Sequence, residues 1–217
     1  MTKISTAAEL LHGEPWQQRI STDLAQRGWS VCDNHFSPLL LARLAEESER
    51  LWRRGAFRRA GVGRGGELRL RPEIRTDQVL WLDPADCTVV QKRYLHALEQ
   101  LRLAINRDLL LGLFEFEGHL AVYPPGSYYR RHLDQFKGVG SRTVSCILYL
   151  NREWQAEDGG QLRIYTHPDD PAYCEEILPV GGRLVTFLSA RFLHEVLPAR
   201  RERWSITGWF KRRDDYL

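Results

Sequence analysis

The sequence predicts an α+β protein whose core is a double-stranded β-helix, or jelly roll, supported by N-terminal helices. In residues 1–115, apolar side chains recur mainly at helical spacing. From Phe116 onward, short alternating segments follow one another, and glycine pairs at 159–160 and 181–182 mark turns between them. About eight antiparallel segments in this order fit a double-sheet jelly roll. We therefore expect residues 1–217 to form a single domain, with the jelly roll at 116–217.

The first half of the chain contains three predicted helices and two short strands. Ser37 and Pro38 open the second helix as capping residue and first helical residue, and Gly28 closes the first. Apolar residues at helical spacing support the third and longest helix. The predicted helices cover residues 15–27, 38–54 and 85–111, and the predicted strands cover residues 29–32 and 78–82.

A segment rich in glycine and arginine spans residues 57–77. Residues 61–66 formally match GxGxxG, but a dinucleotide site needs this motif between a strand and a helix, and here no helical pattern follows. We interpret the segment as a mobile loop. Its arginines, which suit an acidic partner surface, are Arg58, Arg59, Arg64, Arg69, Arg71 and Arg75.

The composition excludes several classes of protein. The net charge of +3 is too small to indicate a dedicated nucleic-acid-binding protein. Four cysteines without a CxxC pattern indicate neither a zinc site nor a disulfide framework. The N-terminus has no signal-peptide pattern, and the longest apolar run, residues 109–114, is too short to span a bilayer. We expect a cytoplasmic protein with no membrane partner.

Along the predicted strands of the second half, successive side chains point to opposite faces of a sheet, as expected where one face is buried. In the strand that starts at Arg142, Thr143, Ser145, Ile147 and Tyr149 share one face, and one of its two faces must line the barrel interior. The predicted strands cover residues 116–123, 128–132, 142–150, 161–165, 175–178, 183–188, 194–196 and 203–212.

A candidate metal site combines His132 and Asp134 with His194. His132 and Asp134 are two residues apart on a strand, so both side chains project to the same side. An isolated His-x-Asp pair is common at surface turns and would not by itself indicate a metal site. The metal interpretation depends on His194 as a third ligand and on Arg203 nine residues later. Two imidazoles and one carboxylate on one face leave three metal positions open, which suits a non-haem Fe(II) that binds a cosubstrate and O2.

Arg203 lies nine residues after His194, on the same strand face as Ser205, Thr207 and Trp209. An arginine on an inward strand face needs an anion, and its planar fork suits a carboxylate. Beside a metal with open positions, Arg203 suggests a dicarboxylate that chelates the metal at one end and pairs with the guanidinium at the other.

These residues carry a resemblance to a known family. The chain resembles the Fe(II)- and 2-oxoglutarate-dependent oxygenases, and among them the prolyl 4-hydroxylases of the oxygen-sensing type, in their bacterial branch. The resemblance covers roughly residues 70–217. The matching segments are residues 75–81, 123–126, 129–134, 146–151, 159–164 and 194–196, together with Arg142 and Arg203.

The resemblance implies roles for individual residues. His132, Asp134 and His194 would bind Fe(II), and Arg203 and the Tyr149 hydroxyl would bind the distal carboxylate of 2-oxoglutarate. O2 is the second cosubstrate and ascorbate the reductant. Leu162 and Val196 would form apolar walls. The further residues expected near the iron or cosubstrate are Thr207, Tyr129 and Tyr123, and those expected near the protein substrate are Arg142, Trp209, Asp77 and Arg75. Arg142 is alternatively expected to pair with Asp77 and tie the loop to the barrel.

The resemblance also implies a reaction and a substrate class. It favours 4-hydroxylation of a prolyl residue in a protein, coupled to conversion of 2-oxoglutarate to succinate and CO2. Residues 57–77 would then close over that protein. Elongation factor Tu is the leading candidate substrate, by resemblance to bacterial relatives, and we expect the enzyme to be a monomer.

Two alternative functions remain open at this stage. The first is an oxygenase of the same fold that acts on nucleic acid or on another protein side chain, which basic residues near 200–213 would support. The second is a metal-binding barrel without catalytic activity. His119 shares a strand face with Glu117, but no second Arg203-like residue follows them, so we interpret His119 as structural.

Overall fold

The computed structural model describes residues 14–63, 69–135, 141–167, 170 and 172–213. Its helices are α1 (Trp16–Gln26), α2 (Pro38–Arg53) and α3 (Val89–Leu109). The Ser37 hydroxyl accepts a hydrogen bond from the backbone N–H of Leu40 at 3.3 Å, which is the cap that the sequence predicts for α2. No helix in the described part of the chain is long and apolar enough to cross a membrane.

The third helix begins later than the sequence pattern predicts. Thr88 caps α3 by accepting a hydrogen bond from Gln91 N at 3.2 Å, while the Gln91 side chain accepts the N–H of Thr88. This reciprocal capping box satisfies two N–H groups that the first turn leaves free. Asp86 instead closes a turn on Asp83 O at 3.0 Å. The prediction that α3 starts at residue 85 was therefore wrong.

The strands of the described residues form two antiparallel sheets that face each other, which confirms the predicted double-stranded β-helix. The larger sheet has the order β1-β9-β6-β11-β4-β3-β2, and the smaller has the order β5-β10-β7-β8. The strands are β1 (Trp29–Cys32), β2 (Arg58–Arg59), β3 (Gln78–Trp81), β4 (Leu113–Tyr123), β5 (Tyr129–His132), β6 (Arg142–Tyr149), β7 (Leu162–Tyr165), β8 (Cys174–Ile177), β9 (Leu184–Leu188), β10 (His194–Val196) and β11 (Arg203–Arg212).

Strand β6 shows how the larger sheet divides the core in two. Val144, Cys146 and Leu148 pack with the helices in one apolar cluster. Ile147 and Tyr149 belong to a second cluster between the sheets, together with residues of β7, β9 and β10. Successive residues of a strand point to opposite faces, so the set that contains Ile147 and Tyr149 lines the interior. The helices thus support the outer face, and the inner face is left for a cavity.

The glycine- and arginine-rich segment is partly built into the barrel. It contains β2, a two-residue strand that sequence periodicity did not indicate, paired with β3. Further along, Thr76 N donates to Tyr128 O at 3.1 Å and Arg130 N donates to Ile74 O at 2.8 Å. These bonds fix residues 74–76 beside β5. Residues 64–68, including Arg64, lie outside the described residues.

Candidate metal centre and adjoining cavity

The three predicted metal-binding side chains converge between β5 and β10. His194 is the register partner of His132, and Asp134 lies two residues beyond the end of β5. Asp134 Oδ1 lies 3.5 Å from His132 Nε2, and Asp134 Oδ2 lies 3.6 Å from His194 Nε2. One ligand atom from each residue lies within 4.8 Å of the others. This spacing allows all three atoms to bind one metal ion.

Backbone carbonyls orient both imidazoles toward the aspartate. His132 Nδ1 lies 2.7 Å from Arg130 O, and His194 Nδ1 lies 3.1 Å from Phe192 O. A carbonyl oxygen only accepts hydrogen bonds, so each Nδ1 carries the proton and each Nε2 keeps its lone pair. This is how metal-binding histidines are commonly oriented.

The charge states of these groups also suit a metal. Burial and the neighbouring His132 lower the pKa of His194 to about 4, so its imidazole is neutral near pH 7. Burial alone would raise the pKa of Asp134, but the adjacent His194 and His132 and a hydrogen bond from Ser145 hold it well below its usual range. A carboxylate and two neutral imidazoles with free lone pairs form a donor set that fits Fe(II).

A second layer of side chains holds the aspartate in place. Ser145 Oγ donates to Asp134 Oδ2 at 2.6 Å, and the Ser189 hydroxyl lies 2.9 Å from Ser145 Oγ. Both serines are fully buried. Outer-layer partners of this kind restrict ligand rotation and so affect metal affinity.

Replacing Ser145 by alanine is therefore expected to weaken metal binding by roughly 10- to 100-fold. The variant removes one hydrogen bond from Asp134 and leaves all three candidate ligands in place. Titration of the metal-free protein with Mn²⁺ measures the change. Ser48→Ala is the matched control, because Ser48 is equally buried but bonds only to Leu44 O in α2. Equal affinities of the two variants would contradict the role of Ser145.

Arg203 lies in the same interior, at the start of β11, and is 1% exposed. Its Nε donates to Gly160 O at 2.8 Å, and its Nη2 donates to the Tyr149 hydroxyl at 3.2 Å. Within the described part of the chain, no carboxylate pairs with this guanidinium. A buried cation without a counter-ion is costly, so the position fits an anion supplied by a ligand.

A cavity connects the metal-binding side chains with Arg203. Tyr129 closes one side by stacking on His132, with ring centroids 3.5 Å apart. The Thr207 hydroxyl lies 3.2 Å from Ser205 Oγ on the inner face of β11. The cavity is lined by Gly63, Arg75, His119, Tyr123, Tyr129, His132, Leu133, Asp134, Arg142, Ile147, Leu162, His194, Val196, Arg203, Thr207 and Trp209.

Three of the four residues expected near a protein substrate, Arg75, Arg142 and Trp209, line this cavity, and Asp77 does not. Their ion pairs differ from those that the sequence predicted. Arg75 Nε and Nη2 donate to Asp77 at 2.7 and 2.6 Å. Arg142 Nε and Nη2 donate to Glu117 Oε1 at 2.9 and 2.7 Å, and the guanidinium lies 3.5 Å from the centre of the Trp209 ring. The expected pairing of Arg142 with Asp77 was therefore wrong, because Arg75 occupies both carboxylate oxygens of Asp77.

His119 is a cavity residue whose position the sequence interpretation missed. It is 3% exposed, and its ring contacts those of Trp81 and Trp209, at centroid distances of 4.8 and 5.6 Å. Burial, followed by the positive charges of Arg75 and Arg142, lowers its pKa to about 3. The sequence signal that could have placed it there is strand periodicity, because His119 lies two and four residues before Ala121 and Tyr123, which are on the inner face of β4.

Replacing His119 by leucine is expected to make the protein less sensitive to acid. The folded-state pKa of about 3 lies below the ordinary value of 6.5, so between these values the unfolded chain binds a proton that the folded protein does not. The stability that this difference supplies is complete above about pH 6.5 and is lost as the pH falls toward 3. Urea midpoints of metal-free protein at pH 7 and 4.5 test this. His96→Leu, at an exposed position of α3, is the control, and an equal loss of stability in both variants would contradict the prediction.

Comparison with known proteins identifies the architecture. Residues 118–211 match the model of the 2OG-Fe(II) oxygenase superfamily. The crystal structure of a Pseudomonas putida prolyl-4-hydroxylase is similar, with 45% sequence identity and a TM-score of 0.83 over 91% of this chain and 100% of that chain. A prolyl hydroxylase from Trichoplax adhaerens, solved with a peptide fragment of hypoxia inducible factor, shares 25% identity with a TM-score of 0.79 over 95% of this chain and 94% of that chain.

Curated relatives agree with the structural comparison. Prolyl hydroxylase EGLN3 of Mus musculus is 30% identical over 201 residues, which cover 86% of this chain and 80% of the relative. The hypoxia-inducible factor prolyl hydroxylase of Caenorhabditis elegans is 31% identical over 209 residues, which cover 89% of this chain. The matched region is only 28% of the C. elegans relative, which is a much longer protein.

Proposed function

Because the chain belongs to the 2OG-Fe(II) oxygenase superfamily, we propose that it is a 2-oxoglutarate-dependent prolyl 4-hydroxylase that acts on a protein. One observation carries the proposal. The 45% identity to the P. putida prolyl-4-hydroxylase extends over the full length of that chain. The cavity supports it, because His132, Asp134 and His194 converge in the same interior as a buried Arg203 that has no counter-ion among the described residues.

In this proposal, one set of side chains binds the metal and another binds the cosubstrate. His132, Asp134 and His194 hold Fe(II), which together with 2-oxoglutarate and O2 supplies the oxidising chemistry for hydroxylating a C–H bond. Arg203 and the Tyr149 hydroxyl bind the far carboxylate of 2-oxoglutarate and so fix its orientation. Leu162, Val196 and Ile147 exclude water from the reacting centre.

The substrate is proposed to be elongation factor Tu, with ascorbate as the reductant and the cytoplasm as the location. The bacterial P. putida enzyme is the similar structure with the highest identity among those described above. The Trichoplax relative binds a peptide fragment of its protein partner, which supports a macromolecular substrate at this cavity. We also propose that the enzyme works as a monomer.

Mass spectrometry of elongation factor Tu tests the proposal. The purified factor is incubated with the enzyme, Fe(II), ascorbate and 2-oxoglutarate, and His132→Ala is the control. We expect one added oxygen on a single prolyl residue, absent in the control. Consumption of 2-oxoglutarate without added oxygen would overturn the proposed substrate and keep the oxygenase. If neither occurs with any prolyl protein, a metal-binding barrel without catalytic activity would replace the proposal.

A further inference from the structure

One wall of the cavity carries two buried nitrogen atoms without hydrogen-bond partners. His119 Nδ1 on β4 and Trp209 Nε1 on β11 are both enclosed, and neither has a partner among the described residues. His119 and Trp209 are 3% and 6% exposed, and both line the cavity that contains the metal-binding side chains. Buried polar groups are normally hydrogen-bonded, so hydrogen bonds among the described residues do not explain why these two wall positions carry polar side chains.

The chemistry of His119 limits what that ligand offers. The low pKa of His119 keeps its imidazole neutral at neutral pH, so one ring nitrogen donates a hydrogen bond and the other accepts. Because Nδ1 is enclosed, Nε2 is the nitrogen left to face the cavity space that His119 lines. A leucine of similar volume would fill this wall without an unpaired polar group, so packing alone does not account for a histidine here.

The neighbours of His119 at the mouth of the cavity are hydrogen-bond donors. The Trp209 indole only donates, and Arg142, which stacks over it, only donates as well. A prolyl residue has no backbone N–H, so its own main chain offers only a carbonyl oxygen, which accepts. A wall in which His119 and Arg142 donate is therefore complementary to the main chain around a target proline.

We propose that His119 is a substrate-binding residue whose Nε2–H donates a hydrogen bond to a backbone carbonyl oxygen of the bound prolyl substrate, beside Trp209. This inference rests on the proposed function and adds to it a donor on β4, opposite the metal-binding sheet. The imidazole of His119 contacts the rings of both Trp81 and Trp209, and its 3% exposure leaves the ring little freedom to rotate.

Steady-state kinetics of His119→Leu with elongation factor Tu as the probe test the inference. We expect the KM for the factor to rise roughly 3- to 10-fold, as for the loss of one neutral hydrogen bond. The KM for 2-oxoglutarate and the affinity for Mn²⁺ should stay unchanged. His119→Gln, which keeps a donor and an acceptor, should recover much of the loss. His35→Leu is the matched control, because His35 also has an enclosed, unpartnered nitrogen but stacks on Trp16, away from the cavity.

The outcomes separate this inference from the function on which it rests. An unchanged KM for the factor in His119→Leu, or a rise confined to the KM for 2-oxoglutarate, overturns the inference and leaves the proposed function in place. Failure of His119→Gln to recover binding overturns the hydrogen bond. A wild-type protein that leaves elongation factor Tu unmodified overturns the proposed substrate, and this inference with it.

Discussion

Replacing Arg203 by leucine is expected to raise the KM for 2-oxoglutarate by at least about 30-fold. The guanidinium is buried, and Gly160 O and the Tyr149 hydroxyl hold it in a fixed orientation. Removing one partner of a buried, hydrogen-bonded charge pair costs roughly 2–5 kcal/mol or more, and the lower end of that range corresponds to about 30-fold. Arg203→Lys should recover only part of the affinity, because an ammonium group lacks the planar fork that binds a carboxylate at two points.

Thermal unfolding gives a second measure of the same effect. A ligand that binds only the folded protein raises its melting temperature, so 2-oxoglutarate should stabilise the Mn²⁺-loaded wild type and have little effect on Arg203→Leu. Arg201→Leu is the control, since the side chain of Arg201 is 43% exposed and pairs with Asp158 outside the cavity. An undiminished thermal shift in Arg203→Leu would place the carboxylate of the cosubstrate elsewhere.

The side chains proposed to bind metal and cosubstrate could be proposed from the sequence because strand periodicity is a local property. His132 and Asp134 lie two residues apart, and Arg203 lies on the same face of β11 as Thr207 and Trp209. Such spacings fix which side chains share a face before any strand pairing is known. The jelly roll itself followed from the same alternation, repeated along the second half of the chain.

The parts that the sequence did not predict depend on contacts between distant segments. Arg142 pairs with Glu117 because β11 lies between β6 and β4, an order that alternation within each strand does not specify. His119 is enclosed because β3 and β11 flank β4 and bring two tryptophans against its ring. Strand β2 has two residues, too few to show any period. The start of α3 was misplaced for a different reason. The turn between Asp83 and Asp86 has the polar residues of a helix start, but the capping box that begins the helix is formed by Thr88 and Gln91.

Replacing Asp134 by asparagine is expected to weaken metal binding by more than about 100-fold and to abolish hydroxylation. The asparagine keeps the volume of the side chain and can still accept the hydrogen bond from Ser145, but it removes the only negative charge of the three candidate ligands. Loss of an outer-layer partner alone costs about 10- to 100-fold in metal affinity, so loss of a charged ligand should exceed that range.

Calorimetric titration of Asp134→Asn with Mn²⁺, together with the rate of 2-oxoglutarate consumption under Fe(II), checks this expectation. Asp33→Asn is the matched control, because Asp33 is a half-exposed carboxylate paired with Arg183 on the barrel surface. The folded stability of Asp134→Asn without metal should be below that of the wild type at pH 7. The lowered pKa of the Asp134 carboxyl means that folding favours its charged form, and this contribution to stability is lost when the charge is removed. Wild-type metal affinity in Asp134→Asn would mean that the metal binds outside the triad. A gain in the stability of the metal-free variant would show instead that His132 and His194 do not stabilise the charged carboxylate.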